Sequence, residues 1–226
     1  MSMPNHPQTI FFDVGNTLLF PNRDRILAPL YERGAVPTED QWKALERKTK
    51  NEFDDILEHN GRADHSFWWM FYSHLTDQFG IEDGSVRDTL VEATRTSANW
   101  DSVPSGTRAA LDRIGKKFRI GVISNADGKI AELLDRCGIA QCFLSITDSG
   151  IVGREKPDPV IFKTALDTLR ATAQDSLYVG DVYSVDYLGA TGAGMQAMLF
   201  DVAGAYRDKG LPRVASLTEL EQHLQI

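Results

Sequence analysis

Cysteine is nearly absent: Cys137 and Cys142 are the only two in 226 residues. That excludes a disulfide framework and points to a reducing compartment. No histidine lies near enough to turn the pair into a zinc site. A basic surface is missing too. With 24 Lys and Arg against 32 Asp and Glu, the net charge is −8, and no Lys/Arg-rich run occurs. A nucleic-acid polymer needs a basic face, so none is expected as a partner. Small anionic substrates stay open, because a few local cations and helix N-termini suffice to hold them. No apolar run reaches the length of a membrane span, so no membrane partner is expected. Met1–Thr9 carries no basic region followed by an apolar stretch, so no secretory leader is expected and the location reads as cytoplasmic. Neither an internal repeat nor a low-complexity segment interrupts the chain.

What is present is an ordinary globular composition, 42% hydrophobic and 25% charged. The length accommodates one large domain, or one domain carrying a smaller insert. The organising stretch is Ile10-Phe11-Phe12-Asp13-Val14-Gly15-Asn16-Thr17-Leu18-Leu19. An apolar, β-prone run stops at an acid, and Gly15-Asn16 turns the chain before apolar residues resume. This reads as a buried strand delivering a carboxylate to its C-terminal end. Open α/β sheets bind ligands there. An acid so near the core costs free energy unless a metal or hydrogen bonds stabilise it. Taken alone, it could equally be a loop cap.

From about Pro21 to Trp100 the pattern is purely helical. Thr38, with Gln41 three residues on, predicts a capping box opening a helix that runs to about His59 and ends at Asn60-Gly61. Trp42, Leu45, Phe53, Ile56 and Leu57 supply its apolar positions. Further helices are predicted from Ser66 to Phe79 and from Ser85 to about Ser97. After Pro104, helices and short apolar runs alternate. Helices are predicted over Ser105–Gly115, Gly128–Arg136, Asp158–Arg170 and Asp186–Gly192. Strands are predicted over Phe118–Ile123, Cys142–Ile146 and Leu177–Val179, with a last one over Met195–Phe200. Such alternation implies a parallel sheet covered on both faces. The expected fold is therefore α/β. A Rossmann-like core of residues 1–20 and 101–226 is interrupted by an inserted all-α domain of residues 21–100.

Four strand ends carry polar residues: Asp13, Ser124-Asn125, Lys156 in the loop Gly153–Pro157, and Asp181 with Asp186. Each has a plain structural reading as a helix cap, a solvated charge or a turn. Their recurrence at the strand ends of one sheet points to a site. As a set they resemble the motifs of the haloacid dehalogenase superfamily. That family has an aspartate after the first strand, a Ser/Thr after the second, a lysine ahead of a later helix, and Gly-Asp-x4-Asp. Here these look like Asp13, Ser124, Lys156 and Gly180-Asp181-Val182-Tyr183-Ser184-Val185-Asp186. The phrase Gly153-Arg154-Glu155-Lys156-Pro157-Asp158-Pro159-Val160-Ile161-Phe162 is similar to the third motif. The resemblance covers the whole chain, including a helical cap of the C1 type inserted after the first motif.

The resemblance implies that Asp13 is a nucleophile forming a covalent intermediate. It implies Mg²⁺ held by Asp13, Asp181, Asp186 and the Gly15 carbonyl. Ser124 and Asn125 would hold phosphate oxygens, with Thr17 supporting the loop beside the substrate. Lys156 would keep Asp13 ionised and balance transition-state charge. In the aromatic run Phe67–Tyr72, Phe67 and Phe71 share a helical face with Leu75 and account for packing. Trp68 and Trp69 are left as candidates for lining a substrate cleft.

One position departs from the family. Its phosphatases carry a second aspartate two residues after the nucleophile, as general acid; here stand Gly15 and then Asn16, and neither donates a proton. The 2-haloacid dehalogenases also lack that acid, because a halide leaves unprotonated. Asp181 argues the other way, since those dehalogenases need no metal and an extra acid beside Asp13 is disfavoured by like-charge repulsion. The leading expectation is a Mg²⁺-dependent phosphatase of a small phosphorylated metabolite. A 2-haloacid dehalogenase-like hydrolase and a catalytically weak homologue that binds a phospho-ligand or protein stay as alternatives. His65 is a candidate proton donor, although a surface role explains it as well. A monomer or homodimer is expected.

Overall fold

Every residue of strand β1 (Thr9–Phe12) is buried. In the computed structural model, which describes residues 6–61 and 63–226, the other strands are β2 (Arg119–Ser124), β3 (Ser145–Asp148), β4 (Ser176–Gly180), β5 (Gln196–Phe200) and β6 (Arg213–Val214). Residues 1–5, which begin the stretch read as leaderless, lie outside the described residues, as does residue 62. The strands form one parallel sheet in the order β3-β2-β1-β4-β5-β6. The chain leaves β1 toward β2 and β3, then returns to β1's other side as β4. That reversal opens a crevice at the C-terminal ends of β1 and β4.

Between β1 and β2 the chain is helical. Two short turns, Arg23–Ile26 and Ala28–Tyr31, lead into α1 (Glu39–Asn60), α2 (Phe67–Gln78) and α3 (Gly84–Arg95). The capping box forms: Thr38 Oγ1 accepts from Gln41 N at 3.3 Å, and Gln41 Oε1 accepts from Thr38 N at 2.8 Å. Gly61 ends α1 at φ 69°, a conformation that favours glycine. Trp42, Leu45, Phe71, Leu75 and Leu90 fill the bundle's own core. No described helix is long and apolar enough to cross a membrane.

The core helices are α4 (Thr107–Gly115), α5 (Ile130–Arg136), α6 (Pro159–Leu169), α7 (Leu188–Gly192) and α8 (Leu217–His223). Strand alternation sorts their apolar partners onto two faces. Ile10 and Phe12 pack with Leu111, Leu133 and Leu220, whereas Phe11 packs with Ile161 and Phe162. Tyr178 of β4 belongs to that second face.

The structure corrects four readings. β3 begins at Ser145 rather than Cys142, because a tight turn over Ala140–Cys142 takes the start of that run and Gly121 pairs with Ser145. After β5, expected as the last buried strand, comes an unexpected two-residue edge strand, β6; so short an element carries no periodic signal. The helix expected from Asp186 opens earlier, as a π-type turn over Tyr183–Tyr187. In the second half of α1 the buried residues are Thr49, Lys50 and Asp54, while Phe53, Ile56 and Leu57 are only half-buried. This polar face lies against the core.

Candidate active site

Asp13 follows β1 directly, and its N–H donates to Val179 O at 2.8 Å, which holds the carboxylate at the sheet's edge. Lys156 Nζ reaches it from the loop before α6. The ammonium donates to Asp13 Oδ1 at 2.6 Å, Tyr178 OH at 2.7 Å and Asp186 Oδ1 at 2.8 Å. Asn125 clasps the Lys156 backbone from both sides: its Oδ1 accepts from Lys156 N at 2.7 Å and its Nδ2 donates to Lys156 O at 3.0 Å. The Asn125 side chain is therefore spent on positioning Lys156.

Asp186 folds back over Gly180. Its Oδ2 accepts from Val182 N at 2.9 Å, and Tyr178 OH donates to its Oδ1 at 3.1 Å. A Cβ on Gly180 would stand 2.6 Å from Asp186 Cγ, so only glycine admits this return. The Gly-Asp-x4-Asp spacing is thus a packing requirement as well as a motif.

One carboxylate oxygen from each of Asp13, Asp181 and Asp186 lies within 4.8 Å of the others, and all three residues are buried. Burial is the largest influence on Asp13; Lys156 opposes it, Asp186 and Asp181 reinforce it, and the pKa is pushed up to about 7. Asp181 rises to about 6, again mainly by burial, against the pull of Lys50. Burial works against the charge on Lys156, yet Asp13 and Asp186 hold its pKa above the usual lysine value. The cluster is short of positive charge. Asp181 Oδ2 is buried as well, ion-paired with Lys50 Nζ at 2.9 Å. Three close, buried carboxylates suit a hard divalent cation.

A cavity of roughly 640 Å³ opens over this cluster, between the sheet edge and the helices that follow β1. Ser124, Asn125 and Gly15 line it, as do Phe53, Phe67 and Trp68 from the helical segment. Thr17 and Trp69 do not. Thr17 is buried and its Oγ1 has no partner among the described residues, so the expected loop hydrogen bond does not form. Trp69 stacks on His65 at 3.7 Å between ring centres and lies under Arg87, which takes His65 away from the cavity as well. Beside Gly15 stands Trp100, whose Cζ3 would meet a Cβ at 3.3 Å. A side chain at position 15 would press on the indole, which would have to give by a few tenths of an ångström.

A sequence profile of haloacid dehalogenase-like hydrolases matches residues 7–194. The chain belongs to the haloacid dehalogenase-like hydrolase family. A glyceraldehyde 3-phosphate phosphatase of Pyrococcus abyssi is 35% identical over 213 residues, 85% of this chain and 81% of that one. A haloacid dehalogenase-like hydrolase domain-containing protein 3 of Bos taurus is 29% identical over 150 residues. That match spans 64% of this chain and 59% of the bovine protein's own length. Among solved structures, the haloacid dehalogenase hydrolase YfnB of Bacillus subtilis, crystallised bound to magnesium, superposes with a TM-score of 0.70. At 18% identity over 98% of this chain and 100% of that one, the likeness is one of fold.

Within this family site, sequence reasoning overlooked Tyr178, Trp100, Lys50 and Glu46. Tyr178 sits in an apolar strand, where its hydroxyl carries no pattern. Lys50 lies 2.9 Å from Asp181 Oδ2 and 2.8 Å from Glu46 Oε1 with no exposed surface. Its spacing from Glu46 is that of a solvated helix pair. The single available signal was Asp54, four residues further on the same face.

Proposed function

We propose that the chain is a divalent-metal-dependent phosphatase of small phosphorylated metabolites, acting through an aspartyl-phosphate on Asp13. The observation that carries this reading is the buried cluster of three carboxylates, Asp13, Asp181 and Asp186. Asp13, Asp181 and Asp186, with the Gly15 carbonyl, would hold Mg²⁺. Bound there, the ion would neutralise the acids and polarise a phosphoryl group. The phosphatase name of the Pyrococcus abyssi relative supports the same substrate class.

In this reading Asp13 attacks phosphorus while the bond to the leaving oxygen breaks. Water then attacks the phosphoryl group, returning the carboxylate and releasing phosphate. Lys156 keeps Asp13 ionised against burial and screens the incoming anion. Ser124, at the end of β2, is placed to meet a phosphate oxygen. Residues 21–100 serve as a cap over a core of 1–20 and 101–226. Trp68 and Phe67 shape the substrate's side of the cavity. No side chain at position 15 protonates the leaving oxygen, so substrates whose leaving group is already a weak base are favoured.

A second reading, 2-haloacid dehalogenation, draws on one observation: Gly15 leaves no acid two residues after Asp13, and the Trp100 ring packs against it. Release of phosphate from aryl, acyl and alkyl phosphates, and of chloride from 2-chloropropionate, separates the two when run with Mg²⁺ and with EDTA. The phosphatase reading expects EDTA-sensitive phosphate release, fast for aryl and acyl esters and lost in Asp13→Asn. Metal-independent chloride release would instead establish the dehalogenase.

A further inference from the structure

Lys50 has no part in the phosphatase reading, yet a role for it rests on that reading, because it requires the metal at Asp181. The side chain is wholly buried on α1, its Nζ 2.9 Å from Asp181 Oδ2 and 2.8 Å from Glu46 Oε1. Other polar atoms at the same contact are less well served. Thr49 Oγ1 and Asp54 Oδ2 on α1, and Ser184 Oγ on the loop opposite, are buried without partners among the described residues. Ser184 N donates to Asp54 Oδ1 at 3.0 Å, and Arg47 Nη1 donates to Ala203 O at 3.0 Å. Unpaired buried polar atoms cost free energy, so this face of α1 leaves the core more readily than an apolar face would.

We propose that Lys50 and a divalent cation compete for Asp181, so that metal binding and the docking of α1 oppose each other. Two ammonium groups already serve the three carboxylates. A divalent ion among them adds two positive charges to a dry cluster, where like charges repel strongly. An ion on Asp181 sits beside the Lys50 ammonium, so the ammonium held less firmly by the core yields. Lys156 donates three hydrogen bonds to groups of the core, whereas Lys50 pairs with a single group of the core, Asp181, and with Glu46 of its own helix. Lys50 rides on α1, so its departure loosens the helix. By linkage, docking of α1 weakens metal binding by the same factor.

The test is Mg²⁺ affinity by titration calorimetry on the full chain without substrate. Lys50→Met is expected to bind roughly 10–100-fold more tightly than wild type, within the usual range of coupling between two linked equilibria. Lys50→Arg, which keeps the charge, is expected to stay near wild type. A second measurement needs no variant: amide exchange across residues 47–58 of wild type is expected to speed up when Mg²⁺ is added. Equal or weaker affinity in Lys50→Met, or exchange that is unchanged or slowed by Mg²⁺, overturns the competition and leaves the metal site standing. No Mg²⁺ binding by either protein overturns the metal reading and the competition together.

Discussion

Gly180→Ala places a methyl group where Asp186 already stands. The added carbon lies 2.6 Å from Asp186 Cγ and 2.8 Å from its Cβ and Oδ2. Comfortable carbon contacts begin near ~3.5 Å, so Asp186 has to retreat by roughly 1 Å. That distance is enough to break its bonds from Lys156 at 2.8 Å, Val182 N at 2.9 Å and Tyr178 at 3.1 Å. Asp186 is only 2% exposed, so water does not replace those partners. Breaking a buried ion pair costs about 3–5 kcal/mol. At roughly 2–4 °C per kcal/mol for a chain of this size, the melting temperature is expected to fall by about 6–20 °C. Calorimetry in EDTA, on the wild type and on a cycle with Asp186→Ala, isolates the effect. The cost of Gly180→Ala is expected to be smaller in the Asp186→Ala background, where the contacts with Cγ and Oδ2 have gone and only that with Cβ stays. A loss below about 1 kcal/mol for Gly180→Ala would refute the steric argument.

The same contacts lead to other expected outcomes. Gly15→Asp alone is expected to lose about 1–3 kcal/mol against the Trp100 ring and to leave alkyl-phosphate turnover low. Combined with Trp100→Ala it is expected to raise that turnover; steady-state rates and urea melts check both. Trp68→Ala is expected to raise KM for the best aryl phosphate, whereas Trp69→Ala, outside the cavity, is expected to leave KM unchanged. In EDTA, stability is expected to fall as pH rises from about 4 to about 7. Asp13, its folded pKa raised to about 7 from 3.8, keeps a proton in the folded chain that the unfolded chain has lost. Urea midpoints at pH 5 and pH 7.5 are expected to differ less in Asp13→Asn than in wild type.

The strand-end positions of Asp13, Ser124 and Asp181 were legible because each closes a short apolar run, whereas Lys156 lies in a loop eight residues beyond β3 and was legible only from its motif phrase. Thr38, Gln41 and Gly61 were legible because capping depends on local chemistry. Lys50 was not. Helical period alone assigns Glu46, Lys50 and Asp54 to solvent, and only docking on an acidic loop distant in sequence buries them. Asn125 was read as touching phosphate, whereas its amide matches the Lys156 backbone, a pairing across 31 residues that no local pattern carries. The start of β3 was misplaced for a similar reason. Cys142-Phe143-Leu144 is apolar enough for a strand, but a turn claims its first residue and Leu144 is 64% exposed.

The central claim is a covalent phosphoryl intermediate on Asp13. Acid quenching within the first turnover of an aryl phosphate in Mg²⁺, followed by proteolysis and mass spectrometry, tests it directly. The account predicts one phosphoryl group on the peptide bearing Asp13, absent with EDTA and absent in Asp13→Asn. Turnover with no adduct on that peptide, or an adduct on another residue, would contradict it.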